Sequence, residues 1–299
     1  MNESLPASDH NHGRDHGHDD NRLTAYLCVT CGTQYPPSAT PPEHCPICED
    51  DRQYIPAKGQ QWTTLDALRA DHTNRFDEIE PGVTRIVTEP KFGIGQQAYL
   101  IETPNGNILW DLIALVDDAT IAEIQRRGGV SAIAISHAHY YTTMVEWSRV
   151  LGDVPVLLHE ANRAWVMRPD PAVQFWGDDT IEPLPGVTVI RTGGHFPGGM
   201  VLHWDNAGVG DGKGVLFSGD IVTIVADPRW CTFMYSYPNQ IPLDPATVAR
   251  MATQLATYRF DRVHDAFDRH MTTDGNARIQ RSAERYIQHI QGNAGPTIA

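Results

Sequence analysis

The sequence predicts an α/β fold with its sheets inside, preceded by a small module held together by metal. Two observations carry that expectation. From Gly82 onward, short apolar runs alternate with turn residues and amphipathic stretches, so strands and helices interleave along the chain. Ahead of them, residues 23–59 are rich in Cys and Pro, poor in core formers, and contain two C-x-x-C pairs. A chain of 299 residues is long enough for one large domain plus such a module.

Residues 1–22 carry His10, His12, His16 and His18 among Asp, Asn and Gly, without apolar periodicity, and read as a disordered tail. Next come Cys28-Val-Thr-Cys31 and Cys45-Pro-Ile-Cys48. Each pair offers two thiolates from one tight turn, and two turns close a tetrahedral shell. So short a segment has little apolar area to bury, so metal binding must supply its folding energy. The module resembles a zinc ribbon or a short rubredoxin knuckle, with all four thiolates closing a structural zinc site. Cys231 stands alone and reads as a buried small hydrophobe. Residues 60–79 read as a link, with a helix from Gln60 to about Asp77 capped by Thr63 or Thr64.

The large domain is expected over residues 80–299. Val83–Val87, Gln97–Glu102 and Asn107–Trp110 read as strands, the last two joined by an Asn105-Gly106 turn. Asp117 or Asp118 caps a helix that Gly128-Gly129 ends. Ala132–Ile135 is a strand, followed by a helix over Thr143–Leu151, a strand over Val154–Leu158 and a helix over Glu160–Met167. Val187–Arg191, Met200–Trp204 and Val215–Phe217 are further strands. Asp244-Pro245 opens a helix with Val248, Met251 and Leu255 at helical spacing, and a second amphipathic helix closes the chain.

The formal net charge of -14 argues against nucleic acid as a general partner, since an acidic surface repels phosphate backbones. No apolar run approaches the ~20 residues needed to cross a bilayer, and the N-terminal stretch lacks a hydrophobic signal core. The expectation is a cytoplasmic protein whose partner is a small-molecule substrate, with neither nucleic acid nor membrane involved.

The chemistry concentrates at Ser136-His137-Ala138-His139, where an apolar strand gives way to a loop. Alternate residues of an extended segment point to one side, so both rings can converge on one ion. His195, in a Gly/Pro loop, and Asp220, at the end of an apolar strand, can complete a site of three imidazoles and a carboxylate. Such a set with an open position suits a catalytic metal, which lowers the pKa of bound water to about 7 and yields a hydroxide nucleophile. Zinc is favoured, and the donor set also suits iron or manganese.

The order Asp111 after a strand, His137-x-His139, Gly-Gly-His195-x-Pro-Gly and Ser-Gly-Asp220 resembles the metallo-β-lactamase-fold hydrolase superfamily over residues 80–299. The resemblance implies a four-layer αββα sandwich with the metal site at one edge of the paired sheets. It implies His137, His139 and His195 as ligands of the first metal, Asp220 as the carboxylate that bridges metals or binds the second, and Asp111 as a supporting acid outside the ligand shell. In a site with one metal, Asp220 would bind that ion or orient its water. His264 lies in about the region of a final ligand histidine. The family pattern continues x-Asp-His, whereas this chain has Tyr141 and Thr142, so one catalytic metal is expected instead of two. Tyr141 is then a candidate donor to the developing oxyanion, with loop packing as its alternative.

The expectation is a mononuclear hydrolase of a small ester, lactone, amide or thioester. The alternatives are a catalytically degraded scaffold that binds a ligand, an iron redox protein, and nucleic-acid processing as the weakest. His159, His203 and His44 read as packed or turn residues. The aromatic segment from Arg229 to Asn239 reads equally as a substrate wall or as loop packing.

Overall fold

The computed structural model describes Met1 and residues 23–293; the tail expected over residues 1–22 falls outside the described residues. Strand β1 (Tyr26–Cys28) leads into the first cysteine turn, and helix α1 (Pro46–Glu49) carries the second. β2 (Trp62–Thr64) pairs antiparallel with β1, Tyr26 opposite Thr64. The link is therefore not one helix. Only α2 (Leu65–Asp71) is helical, capped by the Thr64 hydroxyl on the Ala67 N–H, and the next residues already belong to the main sheet.

That sheet has seven strands in sequence order: β3 (Thr73–Glu80), β4 (Val83–Glu89), β5 (Ala98–Thr103), β6 (Gly106–Trp110), β7 (Ala132–Ala134), β8 (Val156–His159) and β9 (Val173–Trp176). β3 to β6 form an antiparallel meander, with the Asn105-Gly106 turn joining β5 to β6. β6 to β9 run parallel, crossing over through α3 (Asp118–Arg126) and α4 (Met144–Val150). The Asp117 carboxylate accepts the Thr120 N–H and starts α3.

The second sheet contains β10 (Thr180–Leu184), β11 (Val187–Arg191), β12 (Met200–Trp204) and β13 (Val215–Gly219). Two short ribbons follow, β14 (Thr223–Ile224) with β15 (Cys231–Thr232), and β16 (Met234–Ser236) with β17 (Ile241–Pro242). After α5 (Pro245–Ala256), β18 (Arg262–Asp265) runs parallel to β13, and β19 (His270–Met271) closes the sheet before α6 (Gly275–Ile290).

Strand alternation sorts the side chains into layers. Ile108, Trp110 and Ala134 meet Val189, Leu202 and Phe217 between the sheets. Leu109 and Ile133 face outward onto Ile124 and Trp147 of the first helical layer. Ile190, Val201 and Leu216 face the opposite way onto Val248, Met251 and Ile279. The architecture is an αββα sandwich. The four-cysteine module joins it without a gap: Cys31, Tyr35, Cys45 and Ile47 share one buried cluster with Ile113, Tyr141 and Phe196.

Candidate metal centre

The carboxyl ends of β6, β7 and β13 lie together at one edge of the sandwich, and each leads to a polar residue. Asp111 directly follows β6, His137 comes three residues after the end of β7, and Asp220 directly follows β13. His195 arrives from the loop between β11 and β12, where Gly194 takes φ +85° and a Cβ would come within 2.7 Å of Met251 Sδ. The ligand atoms of His137, His139, His195 and Asp220 all lie within 4.8 Å of one another. His137 Nε2 stands 3.1 Å from Asp220 Oδ1, His195 Nε2 3.8 Å from Asp220 Oδ2, and His195 Nε2 3.3 Å from His139 Nδ1. Metal–nitrogen bonds of about 2.0–2.1 Å in a tetrahedron imply ligand separations of about 3.3–3.4 Å, so the four atoms fit one ion.

The two rings of the His-x-His pair do not converge by strand alternation. His137 is the last extended residue before a 3-10 turn over Ala138–Tyr140, and that turn swings His139 back beside it. The ring centroids end 4.9 Å apart.

Neighbouring groups set the tautomers. His195 Nδ1 donates to the Met234 carbonyl at 3.2 Å, which leaves Nε2 as the lone pair. His137 Nδ1 meets Ser136 Oγ at 3.0 Å, while His137 Nε2 and Asp220 Oδ1 have no hydrogen-bond partner. Orphaned buried acceptors of this kind are what a cation would satisfy. Burial pushes the His137 and His139 imidazoles well below their ordinary range and so keeps them neutral. Burial also raises the Asp220 carboxyl, and the neighbouring His195 opposes that rise.

Asp111 stands one step back. It accepts the Ser136 N–H at 2.6 Å, and burial pushes its carboxyl up to about 8. Gly219 permits that packing: it takes φ +55°, and a Cβ there would lie 2.8 Å from Ser136 Oγ.

Three sequence expectations need correction. His264 is not in the cluster. Its Nε2 meets Glu80 Oε1 at 2.5 Å and its Nδ1 meets His270 Nδ1 at 2.8 Å, so both ring nitrogens are engaged elsewhere. Tyr141 does not face the ligands; it is buried in the cluster beneath the cysteine module. Its neighbour Tyr140 lies against His137 instead, with ring centroids 4.4 Å apart, and its hydroxyl has no partner. Burial, then the Asp220 charge, holds the Tyr140 phenol well above its ordinary range. Lastly, within the aromatic segment only its later part reaches the site. Tyr237 packs on His195 with centroids 5.6 Å apart and donates to the Asp220 carbonyl at 2.8 Å, whereas Trp230 stacks on Arg285.

Thr142 adds no ligand. Its hydroxyl donates to the Ile113 carbonyl at 3.3 Å and its own carbonyl accepts the Gln34 N–H at 3.0 Å, at a φ of +34° unusual for a β-branched residue. The positions that depart from the family pattern are thus occupied in docking the cysteine module. His159 and His203 bond backbone carbonyls of Asp178 and Arg259, and His44 pairs with Glu49 on the surface.

In the module, Cys28 Sγ and Cys48 Sγ are 3.5 Å apart and Cys31 Sγ and Cys45 Sγ 3.7 Å, with no disulfide. Metal–sulfur bonds of about 2.3 Å imply sulfur separations of about 3.8 Å. Gln60 Nε2 donates to Cys28 Sγ at 3.1 Å, a contact suited to a thiolate.

A cavity of about 300 Å³ opens over the histidine cluster. His139, His195 and Asp220 form its floor, and its walls come from Tyr237, Phe267, Lys91 and, unexpectedly, Arg52, Gln53 and Tyr54. Nothing local in Asp-Asp-Arg-Gln-Tyr signals that role, because the contact depends on how the module docks.

Three solved structures share the architecture. VMB-1 superposes with a TM-score of 0.53 at 13% identity, covering 71% of this chain and 97% of its own. The DIM-1 metallo-β-lactamase gives 0.53 at 12% identity with the same coverage. FIM-1 from Pseudomonas aeruginosa, in its mono-zinc form, gives 0.52 at 16% identity over 71% of this chain and 95% of its own. The fold is that of the metallo-β-lactamases, with a four-cysteine module added at the front. No family model matches the sequence. The chain belongs to the family of the uncharacterized protein YmaE of Bacillus subtilis (strain 168), with which it is 44% identical over 267 residues, 89% of this chain and 96% of that one.

Proposed function

We propose that the protein is a mononuclear metal-dependent hydrolase acting on a small ester, lactone, amide or thioester, with zinc at both sites. The observation that carries this reading is the convergence of three imidazoles and one carboxylate on one point, with His139, His195 and Asp220 open to a cavity. A bound divalent ion supplies a water acidified to about pKa 7 and a Lewis acid for the carbonyl. His137, His139 and His195 would hold it, and Asp220 would share in binding and orient the attacking water. Ser136, backed by Asp111, fixes the His137 ring. The Tyr140 phenol, kept protonated by its surroundings, can donate a hydrogen bond beside Asp220.

A single catalytic ion is supported by what occupies the two departing positions. Thr142 Oγ1 is turned to a backbone carbonyl and Tyr141 is packed away from the cavity. FIM-1, on the same fold, is described in a mono-zinc form. The chemistry at the site suits a small molecule better than a polymer, given a cavity of about 300 Å³.

The test is metal analysis beside turnover on an ester, lactone, thioester and amide panel. Wild type should hold about two ions per chain, and His137→Ala should lose one together with all hydrolysis. Three ions would refute the mononuclear reading. A full metal complement without turnover of any substrate would favour a binding scaffold instead.

A further inference from the structure

Phe196 follows His195 in the loop between β11 and β12, and its ring is buried. That ring lies against all three ligand imidazoles, with centroids 5.2 Å from His137, 4.9 Å from His139 and 5.2 Å from His195. His139 and His195 meet it nearly edge-on, at interplanar angles of 90° and 78°. A metal site tolerates errors of only about 0.2 Å in its bond lengths. A small shift of the Phe196 ring would therefore disturb three ligands together.

The same ring is braced by the cysteine module. Arg52 comes just after α1, the helix that carries Cys48, and its guanidinium stands 4.5 Å from the Phe196 centroid. Tyr235 and Trp165 complete the box, their ring centroids 4.7 and 5.6 Å from that guanidinium. The Asp50 carboxylate takes Arg52 Nη1 at 2.8 and 2.9 Å and the Arg52 backbone N–H at 3.0 Å. The charge is thus paired, and the side chain is 13% exposed. A paired, largely desolvated guanidinium held on aromatic faces is a firm spacer, not a free cation. The module has another anchor with other partners: Arg168 Nη1 donates to Gln34 Oε1 and, at 2.6 Å, to Glu146 Oε1 of α4.

We infer that Arg52 and Phe196 are positioning residues, through which the docked cysteine module sets the arrangement of His137, His139 and His195 and so controls how tightly they hold an ion. The inference deepens the hydrolase reading by naming what controls its metal site, and it rests on that reading for an ion at the histidines. Arg52 acts on the ligands only through Phe196, so the two residues form one unit. Loosening either should loosen the ion, while loosening the module at Arg168 should not.

The experiment is competition with a chromophoric chelator for the histidine-site ion in the full chain, its cysteine site filled. Wild type, Arg52→Met, Phe196→Leu, the double variant and Arg168→Met are compared, with stability measured beside affinity. Arg52→Met and Phe196→Leu should each weaken the ion at least about tenfold, as loss of a group that orients ligands does. The double variant should lose little more than either alone, because coupled residues are not additive. Arg168→Met should lower stability yet leave the affinity within about twofold of wild type. Should Arg52→Met fail to fold, Asp50→Asn, which leaves Arg52 in place but less firmly held, should weaken the ion several-fold. An affinity unmoved by Arg52→Met or, in its stead, by Asp50→Asn overturns the inference. So do losses that multiply in the double variant, or an Arg168→Met effect as large as that of Arg52→Met. Wild type that takes up no ion at the histidines would sink the hydrolase reading and this one together, whereas tight binding indifferent to Arg52 sinks this one alone.

Discussion

The two ligand clusters make an instructive pair, because both fit a tetrahedral ion and yet they are built for opposite ends. In the cysteine cluster all four cysteines are at most 1% exposed, the first pair wraps a turn closed by the Gly32 N–H on the Cys28 carbonyl, and none of the four lines the cavity over the histidines. In the histidine cluster three of the four ligands line a cavity. Closed shells stabilise a fold, and open ones leave a coordination position for a reacting molecule. A third polar cluster completes the contrast: at Glu80, His264 and His270 facing ring nitrogens 2.8 Å apart hold a proton where the others fit a metal.

Breaking the closed cluster should have the largest effect. Because the module shares its buried cluster with the sandwich, Cys31→Ser should lose one metal ion and more than about 4 kcal/mol of stability in chemical denaturation. The unfolding should stay a single transition, and two transitions would show that module and sandwich are independent. The proton-holding cluster should yield the next largest effect. Burial, and then the like charge of His264, lowers the His270 imidazole to about 4. The unfolded chain therefore binds more protons between pH 6.5 and 4, so the His270 contribution is present above 6.5 and is lost as pH falls through that window. Relative to His270→Gln, wild type should lose roughly 1–2 kcal/mol between those limits, solvent screening of the part-exposed ring reducing the full effect of the shift, measured by denaturation at each pH. Asp265, raised by burial to about 6, gains stability as pH falls and offsets much of this in wild type itself.

The open cluster can be sharpened by smaller changes. Asp111→Asn keeps the shape but weakens the grip on the Ser136 N–H, and should lower metal affinity at the histidine site about 10–100-fold while leaving the cysteine site filled. Competition with a chelator would measure it. Tyr140→Phe should slow turnover about tenfold, whereas Tyr141→Phe should leave it unchanged, since only Tyr140 lies against His137. Equal effects of the two would remove the ground for assigning that hydrogen bond to Tyr140.

Much of this was legible in the sequence, for identifiable reasons. Apolar alternation and Asn105-Gly106 marked β5 and β6, and Asp117 and Asp244 marked the starts of α3 and α5. The ligands were legible because metal chemistry permits few donor types, in spacings a turn can deliver. The strand Thr73–Glu80 was hidden by its charges, since it lies at the sheet edge with none of its residues fully buried. His264 misled because its chain position is right, while its partners Glu80 and His270 come from other strands. The exchange of roles between Tyr140 and Tyr141 depended on the 3-10 turn, which strand periodicity does not foresee. The roles of Arg52 and Gln53 were beyond reach for the same reason: long-range docking leaves no local mark.

Asn239 gives that docking a mechanical side. Its side-chain nitrogen donates to the carbonyls of Asp51 and Gln53, at 2.8 and 3.2 Å, tying the end of the cysteine module to the loop that carries Tyr237. The two rims of the entrance are therefore stitched into one hoop. A guest cannot push one rim aside without drawing the other along, and backbone amides on both sides should exchange with solvent at a common pace.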